Sequence, residues 1–376
     1  MSSIIKEISI LRKELHQSPE VSGNEQKTSK KIRSFFENLS PDEIVDDLGI
    51  NGLAIVFKGK EDGPSTLFRA ELDALPILEN SKLPYKSKIE GVAHSCGHDG
   101  HMAILAGIGL KIASQRPKKG KVILLFQPSE ETGEGAKQVL ESPNFQKVKP
   151  DFSFALHNLP GYPLGQVILK KGAFTAASKG MIIELKGRTS HAAHPENAIS
   201  PANAMCQLIS GLQKLPEQIN SFSLVTVIHA QLGEVAFGTT PGAATVMATL
   251  RTFDNAVMDT LTESAITLSK KVSTEHGLEL ITSFREEFQA VENDSEACDI
   301  VQDAADQLSL NKNTVPTPFR WSEDFGNLSS GTKSMLFGIG SGENHPQLHE
   351  NSYDFPDELL PIGVDLFNKI IKKLNH

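Results

Sequence analysis

Within the run His94-Ser95-Cys96-Gly97-His98-Asp99-Gly100-His101, a thiol, imidazoles and a carboxylate stand close enough to cradle a metal ion. A thiolate and a neutral imidazole are good donors for zinc and its neighbours. Gly97 and Gly100 allow the backbone to fold tightly around an ion. For any single histidine here, a plain histidine-rich turn is the competing reading; for Cys96, the competing reading is a nucleophile with a nearby histidine as its base. Glu130 and Glu131 form a second cluster, in QPSEETGEGA after an apolar run. Of two carboxylates in a cleft, one can hold a cation while the other takes protons from water, as metal-assisted hydrolysis requires. Taken alone, the same stretch also reads as an acidic surface turn. His157 ends another apolar run, and His345 and His349 lie in a polar stretch near the C-terminus.

The elements that must position these groups follow from periodicity. Residues 3–17 and 25–39 read as amphipathic helices, and 52–59, 65–70, 121–127 and 152–157 as short buried strands. Residues 101–115 read as a helix between two of these strands, with Asp99 placed to cap its free N–H groups. This alternation predicts an α/β layered sheet, whose strand ends are where such folds hold ligands. From residue 181 the order becomes β-α-β-β-α-β, that of a ferredoxin-like unit. A helix over 294–308 and a strand over 333–340 return the chain to the first pattern. The expected organisation is a catalytic domain of residues 1–178 and 291–376, interrupted by a smaller α+β domain over 179–290.

Composition narrows the function further. The 376 residues carry 37 basic and 46 acidic side chains, a net charge of −9, with no basic block to follow a phosphate backbone. Nucleic acid is therefore not an expected partner. No apolar stretch reaches the length of a membrane span, and the N-terminal pattern lacks a secretory signal. Three cysteines are too few for a disulfide framework, so a cytoplasmic location is expected.

The segments FRAELDALPI, HSCGHDGHM, QPSEETGEGA, ALHNLPGYPLG, KGRTSHAAHP and QLHENSYDFPDE occur in this order along nearly the whole chain. Together they resemble the amidohydrolase branch of the aminoacylase and carboxypeptidase-type two-metal peptidases. That branch includes hippurate hydrolases, indoleacetyl-amino acid hydrolases and N-acetyldiaminopimelate deacetylases. The resemblance implies a zinc-peptidase-like α/β/α catalytic domain, with the inserted ferredoxin-like domain as lid and dimerisation domain. It implies that Cys96, His98, Glu131, His157 and His349 hold two divalent metal ions, the Cys96 sulfur bridging. Zinc, manganese, nickel and cobalt all suit such a mixed donor set. Glu130 is then the general base acting on a metal-activated water, and His191 enters the active site of the partner subunit of a homodimer.

Glu71 stands where the family more often has aspartate; Glu71 and Asp73 are expected to support the ligands from behind. Arg251 is the candidate for gripping a substrate carboxylate, and Trp321, Ser322, Asp324 and Phe325 are candidates for walling an acyl pocket. The expected substrate is a small N-acyl amino acid or short peptide. The rival expectation is a metal-dependent binding or regulatory protein without turnover, which would have no use for Glu130.

Overall fold

The computed structural model describes residues 3–329 and 331–376. The chain divides into two compact units, one of residues 1–174, 291–318 and 323–376, the other of residues 175–290 and 319–322. The boundary expected at 178/179 falls inside the strand Ala177–Lys186, which begins earlier than its apolar core suggests, so the division lies at Phe174/Thr175.

Among the described residues the first unit carries an eight-stranded sheet. Its order is Glu43–Val45, Leu53–Lys58, Lys119–Gln127, Glu61–Glu71, Phe152–Pro160, Lys333–Gly342, Val167–Leu169, Lys312–Thr314. Four neighbours in this order, Lys119–Gln127, Glu61–Glu71, Phe152–Pro160 and Lys333–Gly342, run parallel, so their carboxyl ends share one edge. Their sequences read as unbroken apolar runs and not as alternating ones, because both faces of a parallel sheet are covered. The helix His98–Ser114 is apolar on nearly every side and buried accordingly. A Cβ on its Gly107 would stand 2.6 Å from Val364 Cγ2, and one on Gly109 would stand 2.2 Å from Phe36 Cε1. These glycines let the helix approach Leu359–Asn375 and Gln26–Glu37 closely. Leu359–Asn375 is a helix that the sequence reading leaves unassigned; Leu360, Val364, Phe367 and Ile371, at helical spacing, form its buried face.

The second unit shows β-α-β-β-α-β connectivity, with antiparallel sheet order Ser223–Leu232, Ala243–Thr252, Ala177–Lys186, Glu279–Phe288. Helices Ala202–Lys214 and Asn255–Glu275 cover one face, on which Ile183, Val246, Leu250, Leu208 and Leu261 form the core. Asp254 Oδ1 accepts the Val257 N–H at 3.0 Å and starts the second of these helices.

One buried ionic cluster in the first unit ties the N-terminal helix to the elements that carry the site. Arg12, on Ser3–His16, donates from Nη1 to Asp99 at 3.2 Å and to Asp354 at 2.7 Å, with Nε 2.6 Å from Asp357. Asp99 does not cap its helix as expected; its carboxylate turns away from the backbone to Arg12 and to His16 Nδ1, 2.8 Å away. A fully buried carboxylate needs a full positive charge beside it more than it needs a peptide N–H. His16 Nε2 also reaches Glu79 at 3.4 Å.

Burial alone would lower the His16 imidazole, but its bonds to Asp99 and Glu79 push it up to about 10. Glu79, raised by burial alone, is held down to about 2 by His16, Ser81 and Ser87. A raised histidine stabilises the fold fully below its ordinary value of 6.5 and loses that contribution as pH climbs toward about 10. A depressed carboxylate contributes fully above 4.5 and loses its share as pH falls toward about 2. We expect the stability advantage of the wild type over His16→Gln, measured by urea unfolding, to be largest near pH 6 and to shrink steadily toward pH 9.5. A constant difference across that range would contradict the pairing.

Candidate metal centre

The shared carboxyl edge of the four parallel strands collects the chemistry. Glu71 closes Glu61–Glu71, Glu130 and Glu131 follow Lys119–Gln127, and His157 lies in Phe152–Pro160. His349 lies in the loop after Lys333–Gly342, while Cys96 and His98 flank the start of the helix His98–Ser114. Cys96 is common to two groups whose donor atoms lie within 4.8 Å of one another, one with His98 and His157, the other with Glu131 and His349. His98, Glu130 and Glu131 form a third. The sulfur thus stands between two half-sites.

Hydrogen bonds from behind aim the rings. His98 Nδ1 lies 2.8 Å from Asp73 O and His157 Nδ1 2.9 Å from Asn158 O, so each ring keeps a proton on Nδ1 and turns Nε2 toward the cluster. His157 Nε2 faces Cys96 Sγ at 3.5 Å, and His98 Nε2 lies 3.9 Å from Glu131 Oε1. Asp73 Oδ2 accepts the Glu131 N–H at 3.0 Å and the Ser22 hydroxyl at 2.7 Å. His349 has φ 66° and donates its N–H to Ser95 O at 2.8 Å, which brings Nε2 to 3.6 Å from Glu131 Oε2. Ser129, at φ 53°, is held by Glu25, and this left-handed residue turns the chain so that Glu130 enters the site.

The electrostatics ask for cations. Glu71, Asp73, Glu130, Glu323 and Asp324 are buried and Glu131 nearly so. Among the described residues, Arg69 is the lysine or arginine paired with any of them, reaching Glu71, Glu323 at 2.8 Å and Asp324 at 2.7 Å. Burial and the neighbouring Glu323 and Glu131 push the Glu130 carboxyl well up. Burial raises Glu131 to about 7, and it lifts the Cys96 thiol far above its usual range, helped by Glu131 and Glu130. His98, which burial would lower, is raised to about 9 by Glu71, Glu131 and Asp73. His157 falls to about 4 through burial and then His101. His98 Nε2 and Glu131 Oε1 are buried without a hydrogen-bond partner among the described residues. Lone pairs of nitrogen, oxygen and sulfur, converging in a region of excess negative charge, fit a pair of divalent cations.

Of the residues singled out from the sequence, Glu71, Asp73, Cys96, His98, Glu130, Glu131, His157 and His349 come together here. His191 and Arg251 belong to the second unit. His191 is exposed, and its Nδ1 accepts the Ala193 N–H at 3.0 Å, so Nε2 carries the proton and points a donor outward. Arg251 Nη1 is engaged by Arg320 O at 2.9 Å and Ser322 Oγ at 2.8 Å.

Asp324 and Phe325 do not wall a pocket. Both are fully buried, Asp324 accepting from Arg69, Gln127 and the Ala136 N–H. The sequence reading passed over Arg69, His101, Asn158 and Glu323, all of which pack against the centre. Arg69 and His101 lie within FRAELDALPI and HSCGHDGHM, and a charged residue in an otherwise apolar strand is the signal for Arg69.

Comparison with known proteins places the fold and the family. The hippurate hydrolase of Campylobacter jejuni is 32% identical over 367 residues, covering 96% of this chain and 95% of that protein. An N-acetylcysteine deacetylase of Bacillus subtilis is 31% identical over 366 residues, covering 96% and 94%. The crystal structure of a Bacillus subtilis protein described as a dinuclear metal binding peptidase superposes with a TM-score of 0.84 at 28% identity, over 99% of both chains. The family model of Peptidase family M20/M25/M40 matches residues 67–373, and the chain belongs to that family.

Proposed function

We propose that this chain is a metal-dependent amidohydrolase that cleaves the amide bond of small N-acyl amino acids or short peptides, with Glu130 as general base. The observation that carries the reading is a buried acid, Glu130, beside a converging set of thiol, imidazole and carboxylate donors. Cys96, His98, Glu131, His157 and His349 would hold two divalent ions, with Glu71 and Asp73 fixing His101, His98 and Glu131 from behind. When bound, such ions supply Lewis acidity, which acidifies water and polarises an amide carbonyl.

The chain's own groups do the rest. Glu130 takes the proton of the attacking water on its carboxylate and delivers it to the leaving nitrogen. Burial beside Glu323 and Glu131 raises its affinity for a proton. The His191 Nε2–H, from the second subunit of a homodimer, donates to the oxyanion. Arg251 retains Nε and Nη2 toward a substrate carboxylate.

A cysteine-nucleophile mechanism finds support in the 3.5 Å approach of Cys96 to His157 and no further. A reactive thiolate requires an electropositive setting, and Cys96 lies among carboxylates. The purified protein, stripped with a chelator, should lose hydrolysis of N-acyl amino acids and regain it with added divalent metal. Glu130→Gln should lower kcat by about 10²–10⁴-fold while metal content is unchanged. Activity that survives chelation, or a fully active Glu130→Gln, would exclude the mechanism.

The dimer is favoured by the edge strand Ser223–Leu232, where Ile228 is 62% exposed, and by Val235 and Phe237 in the loop beyond it, both wholly exposed. Sedimentation should give twice the chain mass, and His191→Ala should lower kcat more than it raises KM. A fully active monomer would remove His191 from the reaction. A cytoplasmic location accords with the absence, among the described residues, of any helix long and apolar enough to cross a membrane.

A further inference from the structure

Asn158 follows His157 on Phe152–Pro160 and is fully buried. Its amide is engaged at both ends. Nδ2 donates to Cys96 O at 3.1 Å and to Tyr353 Oη at 2.5 Å, and Oδ1 faces His101 Nε2 at 2.5 Å. Because Cys96 O can only accept, this bond also settles which end of the amide is nitrogen. His101 continues the chain of contacts to Glu71 at 2.7 Å, and Glu71 to Arg69.

The same amide lies flat against Gly97. Gly97 has φ 91°, and a Cβ there would stand 2.5 Å from Asn158 Oδ1 and 2.8 Å from Nδ2. Glycine is therefore required twice, for the left-handed turn and for the close approach. One side chain thus grips the peptide between Cys96 and Gly97, one residue before His98, while being covalently next to His157. Through Tyr353 it also reaches the loop that carries His349, whose N–H meets Ser95 O.

We infer that Asn158 is the positioning residue of the centre: its amide sets where the Cys96 sulfur stands relative to His98 and His157, and so whether the sulfur meets a bound cation. The inference rests on the proposed reading of Cys96 as a ligand, and the two can fail separately. An amide that merely filled the core would affect folding stability and nothing else.

The test uses the full chain, stripped and reloaded with cobalt(II), whose thiolate charge-transfer absorption reports the Cys96–metal bond independently of turnover. Affinity is measured by chelator competition on the wild type, Asn158→Ala, Tyr353→Phe and, as a control for lost stability, Leu212→Ala in the core of the second unit. Asn158→Ala should weaken cobalt binding by about 10–100-fold and lose most of the absorption band. Tyr353→Phe removes a single acceptor and should move both readouts the same way by a smaller factor; should Asn158→Ala fail to fold, this variant carries the test. Leu212→Ala should melt earlier with band and affinity intact.

Band and affinity unchanged in the variants at 158 and 353 would overturn the inference, as would an equal loss in Leu212→Ala. A wild type with no thiolate band would overturn the underlying reading of Cys96 instead.

Discussion

Buried negative charge is the constraint on which the rest of this structure depends. Six carboxyl groups converge on the carboxyl edge of four parallel strands, and one guanidinium, Arg69, is ion-paired with them among the described residues. Removing carboxylates from water is costly unless each finds a proton or a cation. Glu71 and Glu323 meet that need through Arg69 and stay ionised, whereas Glu130, Glu131 and Asp324 are driven toward the protonated form, chiefly by burial. Two divalent cations would reverse that tendency, because their field favours ionised carboxylate and thiolate.

The scaffold holds this arrangement by long-range contacts of a few kinds. Parallel strands bring residues far apart in sequence to one edge, and the glycines of the buried helix let its neighbours close around it. Arg12 then fastens the first helix to Asp99, beside His98, and to Asp354 and Asp357, beyond His349. The segments that carry the candidate ligands His98 and His349 are therefore referred to the same buried guanidinium. The hydrogen bonds behind His98, His157 and Glu131 convert that rigidity into the direction of individual lone pairs.

What the sequence made legible follows the range of the forces involved. Periodicity located the strands Lys119–Gln127 and Lys333–Gly342 and the helices Ser3–His16 and Asn255–Glu275, because apolar spacing is a local signal. The donors at strand ends were visible as residue types that apolar runs do not otherwise carry. Pairings of high sequence separation were not visible. Asp99 looked like a cap because the local rule for a helix start ignores Arg12, 87 positions away. Asp324 and Phe325 read as surface of a pocket because an acidic, aromatic stretch gives no sign that Arg69, 255 positions away, draws it inside. Asn158 carries no local signal, because its partners Gly97, Cys96 and Tyr353 lie far from it in sequence.

The most direct measurement is anomalous X-ray diffraction from crystals of the protein grown with a divalent transition metal, recorded on both sides of that metal's absorption edge. The account predicts two peaks, one shared by Cys96, His98 and His157 and one by Cys96, Glu131 and His349, with the sulfur within about 2.3–2.5 Å of both. Peaks elsewhere, or a Cys96 side chain turned away from an occupied site, would contradict it.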